Sequence, residues 1–268
     1  MCDRRKISMG YDTLFNIYVC DLSWQQGKYY TAIFLSYQRS YKSKQFISLQ
    51  NMKSILFGSI GALVECSEIQ RKAFNLAFQD FGLDCYWNIA NYIKMLEEPG
   101  GLNRIVEYSN LKLSQQDAKE IHLLKIKHFK SLSKNSLKPR EGVKDIVQYA
   151  FKNNIKVGFI TTTTKDTLDL IIESITDFVD FTKFDLITHD ELVNKRKPDS
   201  EIYNYALREL KVNNLKSIAI ENTYESCKSA EDANIKTLFY PGEYTIYDKN
   251  DFVSMDIFKS VKSFFDKG

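Results

Sequence analysis

The 268-residue sequence predicts an α/β protein built on a doubly wound parallel sheet. Three observations predict it. From Val143 onward, short apolar runs alternate with stretches of helical period, the pattern of strand–helix–strand crossovers. An earlier apolar run, Ser54-Ile55-Leu56-Phe57, ends at small residues and turns through Gly61 into Ser67-Glu68, which has the form of a helix start. Between these regions, residues 66–137 carry helical patterns only.

Taken in order, the first helix spans Ser67 to Phe81, since Ile69, Ala73, Phe74, Ala77, Phe78 and Phe81 share one face. Gly82 closes it as a C′ residue. Asn88 to Leu96 is a second helix, broken by Glu97-Glu98-Pro99-Gly100-Gly101. Leu102 to Tyr108 and Ser114 to Ser133 follow, and Pro139 marks the return to alternating structure. Helix Val143–Asn153 precedes strand Ile155–Ile160, which ends in four threonines. Helix Lys165–Ile175 and strand Phe184–Ile187 come next. Pro198 suits the first turn of a helix running to about Leu210. Strand Ser217–Ile220, helix Tyr224–Ala233, strand Ile235–Phe239 and a last helix, Ser254–Phe265, complete the alternation.

Residues 1–51 stand apart. They hold seven basic and three acidic residues, which leaves 30 basic against 31 acidic for the rest. A near-neutral body gives no electrostatic argument for nucleic acid. Two β-like runs, Phe15–Trp24 and Tyr29–Tyr37, flank Gln25-Gln26-Gly27-Lys28 as a candidate hairpin. The extension reads as an appended hairpin, a basic arm, or sequence upstream of a start at Met52, and the last is preferred. No apolar run has the roughly 20 residues of a membrane span. Five scattered cysteines without a Cys-x-x-Cys pair read as reduced thiols, hence a cytoplasmic expectation.

Chemistry-bearing residues fall at the strand ends, where open α/β sheets place their sites. Thr161 is the first hydroxyl after Lys156-Val157-Gly158-Phe159-Ile160, Lys197 precedes Pro198-Asp199, and Glu221-Asn222-Thr223 follows Ile218-Ala219-Ile220. With the Ser54–Glu65 run, these segments resemble, in order, the four motifs of the haloacid-dehalogenase-like superfamily, in the β-phosphoglucomutase and CbbY-like sugar-phosphatase branch. The resemblance covers about residues 52–245. It implies a core of residues 52–65 and 138–268, with a helical cap, 66–137, inserted after the first strand.

In that superfamily the first motif reads Asp-x-Asp-Gly-Thr-Leu-Val-Asp-Ser-Glu, with a nucleophilic aspartate and an acid/base aspartate. Gly58 and Ile60 stand at those positions, so the resemblance implies impaired catalysis. It implies phosphate binding by Thr161 and Lys197, substrate contacts from cap residues Gln70 and Arg104, and a weakened Mg²⁺ site at Glu221 and Asn222. The plain alternatives are a strand-end threonine, a surface lysine and an exposed helical arginine. The expected partner is a small phosphorylated metabolite or phosphate. Two other readings stay open: an active hydrolase using Ser59, Glu65 or Cys66 as nucleophile, and an interaction protein without a small ligand.

Overall fold

The structure is a computed structural model that describes residues 2–5, 17–20, 53–96, 100–108, 113–134, 136–248 and 256–266. The chain divides into two units, Met1–Leu49 and Gln50–Gly268. In the first, β1 (Cys2–Arg5) pairs antiparallel with β2 (Ile17–Cys20), Cys2 opposite Cys20. β2 falls within the first anticipated run, but its partner is Cys2–Arg5; Tyr29–Tyr37 and the turn before it lie outside the described residues.

The second unit carries a five-stranded parallel sheet, as anticipated. Its strands are β3 (Ser54–Phe57), β4 (Lys156–Phe159), β5 (Leu186–Ile187), β6 (Ser217–Glu221) and β7 (Lys236–Phe239), in the order β5-β4-β3-β6-β7. β3 is central, with Phe57 opposite Phe159 on one side and Ile220 on the other. Alternation along the strands serves both faces. Ile55, Phe57, Val157, Phe159, Ile218 and Ile220 pack with α6 (Val143–Lys152), α7 (Lys165–Ile175) and α10 (Ile257–Asp266). Leu56, Ile160 and Ala219 face α8 (Glu201–Leu210) and α9 (Tyr224–Asp232). Both faces are dry, so the strands read as unbroken apolar runs.

Between β3 and β4 the chain is helical. It passes through α1 (Ile60–Leu63), α2 (Ser67–Phe81), α3 (Ile89–Met95), α4 (Gly101–Tyr108) and α5 (Gln115–Ser133). The caps are sequence-coded: Asn88 accepts from Asn91 N, and Ser114 and Asp117 form a reciprocal capping box. Gly82 ends α2 at φ 79°, where a side chain would be strained. This layer has its own core, in which Trp87 sits 4.9 Å from Phe74 and 4.7 Å from Phe78, ring centre to ring centre.

Two local differences from the sequence reading bear on the site. The short α1 was not anticipated, and it follows directly on Gly58-Ser59. Helix α8 begins at Glu201, not at Pro198. Asp199 Oδ1 accepts from Glu201 N, and the Glu201 carboxylate turns back onto Asn194 N and Lys195 N, so residues 197–200 form a turn. Near the return from the helical layer, Val64 bridges Pro139. The next residue, Arg140, donates to the carbonyls of Gly61, Tyr240 and Pro241 and lies over the Tyr240 ring.

Candidate functional site

The site lies at the carboxyl end of β3. Gly58 N donates to Ile220 O at 2.9 Å, which continues the β3–β6 ladder one residue past the strand. Gly58 therefore has the parity of Leu56 and faces α8. A Cβ on Gly58 would land on Glu221 Oε1 and on the Tyr203 hydroxyl, well inside van der Waals contact. The space of a side chain at position 58 is thus filled by a carboxylate from β6 and a phenol from α8.

Lys197 closes this cluster. Its Nζ donates to Gly58 O (2.7 Å), Ile160 O (2.8 Å) and Glu221 Oε1 (2.5 Å), which uses all three protons. Tyr203 donates to the same Glu221 oxygen at 2.6 Å. Lys197, Tyr203 and Glu221 are buried, so the plain surface-lysine alternative is overturned. Burial lowers the Lys197 pKa while Glu221 raises it; burial and then the Glu221 charge push the Tyr203 phenol well up. Glu221 Oε2 is buried without a hydrogen-bond partner among the described residues.

Thr161, also buried, accepts on its hydroxyl from Thr163 N at 3.1 Å, and its own N–H donates to Thr188 Oγ1. Asn222 accepts from the Ser59 hydroxyl and packs on Gly61, where a Cβ would strike its amide. The residues do not fit a magnesium ion. Mg²⁺ requires near-octahedral oxygen ligation, yet Gly58 and Ile60 offer no side-chain oxygen. One Glu221 oxygen is held by Lys197 and Tyr203, and the Asn222 oxygen is held by Ser59. The Lys197 ammonium supplies the positive charge beside Glu221.

The three alternative nucleophiles are each engaged. The Glu65 carboxylate accepts from Ser67 N and Glu243 N, and the Ser59 hydroxyl is bonded to Asn222. Burial, with Glu65 nearby, pushes the Cys66 thiol up to about 12, so it is not a thiolate at neutral pH.

The cap candidates gather in a second cluster. Gln70 reaches Cys66 Sγ at 3.9 Å. Arg104 is buried, which corrects the exposed-arginine alternative; its Nε donates to Met95 O and its guanidinium lies over the Tyr92 ring. Sequence reasoning missed two participants here. Lys125 is 4 % exposed and sits over the Phe74 and Phe129 rings, while His122 and Phe74 both border Gly101. A signal existed: Ala118, Ile121, Lys125 and Phe129 share one helical face, so a lysine stands in an apolar stripe. Tyr203 was missed because Ile202, Tyr203, Ala206 and Leu210 read simply as core.

Residues 55–240 match the family model described as haloacid dehalogenase-like hydrolase. The chain is similar to Protein CbbY of Cereibacter sphaeroides, 28% identical over 204 residues that cover 74% of this chain and 88% of the relative. A CBBY-like protein of Arabidopsis thaliana is 27% identical over 205 residues, 72% of this chain and 64% of the relative. Among solved structures, CbbY from Rhodobacter sphaeroides in complex with phosphate superposes with a TM-score of 0.68 at 26% identity, over 76% of this chain and 92% of that one. A mutant of that protein in complex with xylulose-(1,5)bisphosphate gives the same TM-score at 25% identity. With its parallel sheet, its site at the strand ends and these matches, the chain belongs to the haloacid dehalogenase-like hydrolase family.

Proposed function

We propose that this protein binds phosphate or a small phosphorylated metabolite at the carboxyl edge of the sheet, with residues 66–137 as its cap, and does not form an aspartyl phosphate. The observation that carries this reading is the filled position 58, where Glu221 and Tyr203 occupy the space a nucleophilic side chain would need. Thr161 and Lys197 at that edge would receive an oxyanion, and Gln70 and Arg104 would contact the ligand from the cap. Binding by Lys197 requires its ammonium to leave one of three protein acceptors. Support for a phosphorylated ligand comes from the similar CbbY, solved with phosphate and, as a mutant, with xylulose-(1,5)bisphosphate. The three unpaired thiols described, Cys66, Cys85 and Cys227, agree with a cytoplasmic setting.

A second reading has its own observation. With all three protons of Lys197 bonded within the protein, the edge is closed to an oxyanion, which leaves an interaction protein without a small ligand as the alternative. Melting of the full chain with inorganic phosphate or xylulose 1,5-bisphosphate, with and without Mg²⁺, decides between the two. The binding reading predicts a ligand-induced rise in Tm that does not need Mg²⁺, with no phosphate released from the bisphosphate. A ligand at 100 times its Kd adds about 2.7 kcal/mol of stability. Absence of any rise selects the partner reading, and Mg²⁺-dependent phosphate release overturns both.

A further inference from the structure

Lys125 is a buried basic side chain. Among the described residues its ammonium meets no carboxylate and no hydrogen-bond acceptor; its neighbours are the faces of Phe74 and Phe129, each about 5 Å from ring centre to Nζ. Its side chain is almost wholly buried, and proteins ordinarily pair a charge so placed. Here the opposite is arranged. Two further basic side chains, Arg104 and His122, lie close enough to disfavour its charge or have theirs disfavoured by it. Cys66, the acidic group that bears on Lys125, is a protonated thiol. The place is at the seam of the two cores: Phe74 belongs to the helical layer, while Phe129 and Cys66 pack with the sheet. Cys66 also ties in Gln70, just past the loop that carries Gly58.

We propose that Lys125 is a ligand-binding residue, the cation that receives an oxyanion of the bound metabolite at the seam between helical layer and sheet, with Arg104 adding to the positive field. This rests on the binding reading above and moves its main anion contact away from Lys197, whose protons are already taken. The ligand class that fits is a small metabolite with a phosphate group, whose charge would complete a site that the protein leaves unbalanced. A phosphate oxygen would gain a charge-assisted hydrogen bond in apolar surroundings, where such bonds are strongest.

The test uses the full chain, its Lys125→Met variant, and inorganic phosphate and xylulose 1,5-bisphosphate as probes. Methionine keeps the stem packed between the two rings and removes the charge. The expected result is a phosphate-induced rise in Tm for the parent that is abolished in Lys125→Met. In lysine-¹³C-labelled protein, the signal missing from Lys125→Met should be the one that phosphate shifts most. A rise retained in full by Lys125→Met overturns this inference and leaves the binding reading standing. No rise in the parent with either probe overturns both. Should Lys125→Met fail to fold, Lys125→Gln supplies the assignment, and an unmoved Lys125 signal during a saturating titration overturns the inference.

Discussion

Lys197 and Glu221 are two charges in a dry place, and their value depends on being removed together or singly. Lys197→Met alone leaves the Glu221 carboxylate buried with only Tyr203 as donor. The expected loss is about 3–5 kcal/mol in urea unfolding. Replacing both, Lys197→Met with Glu221→Leu, should return most of that loss, because no unpaired charge remains. Position 58 gives a complementary prediction. Gly58→Asp places a Cβ onto Glu221 and Tyr203 and a second carboxylate beside the first. It should cost about 1–3 kcal/mol through overpacking, and on the binding reading it should confer no phosphatase activity, since Ile60 and Asn222 are unchanged. Lys125 supplies a pH dependence. Burial lowers its pKa to about 8 from 10.5; Cys66 opposes that shift, and Arg104 adds a lesser push in the same direction as burial. The folded state therefore binds its proton less well than the unfolded chain. Stability at this residue is recovered as pH rises from about 8 towards 10.5 and is lost as pH falls back through that window. Lys125→Met should accordingly be the more stable protein at pH 7, by roughly 3 kcal/mol, with the advantage gone near pH 10.5.

At the scale of elements, α2 depends on one acidic residue in its first turn. The Glu68 carboxylate takes two bonds from Arg71, at 2.8 and 2.9 Å, and one from the Tyr244 hydroxyl; Arg71 also reaches Trp87 O. The Arg71 bonds foremost hold the Glu68 pKa down to about 2. Because the folded value is depressed, this stabilisation is complete above about pH 4.5 and is lost as pH falls towards 2. Glu68→Gln should flatten the acid limb of the stability profile over that window, read by the urea midpoint at each pH. Most elements were legible, because their code is local: the apolar stripe and Gly82 of α2, the capping box of α5 and the apolar runs of β3 and β6 each need only a short window. Failures came where side chains at a distance set the backbone. Helix α8 starts late because the Asp199 and Glu201 carboxylates bond the turn before it, and α1 follows a loop pinned by Asn222 and Arg140.

For the whole molecule, the site was legible as a set of positions but not as an arrangement. Gly58, Thr161, Lys197 and Glu221 could be placed at strand ends from the sequence alone. That Lys197 would spend its protons on Gly58, Ile160 and Glu221, residues as much as 139 positions away, follows only from the strand order β4-β3-β6. Tyr203 and Lys125 each sit in an apolar helical face, where the pattern reports burial and not what the polar tip will meet. The same long-range logic applies to Arg140. Its fork gathers carbonyls from α1 and from the loop after β7, directly beside the Val64–Pro139 bridge that joins the two strands of chain passing into and out of the helical layer. It thus ties both crossings of the chain to the end of the sheet. Arg140→Lys keeps the charge but cannot span three carbonyls with a planar fork. Amide hydrogens of residues 61–66 and 137–143 should then exchange with solvent faster, while those of β3 and β6 keep their protection.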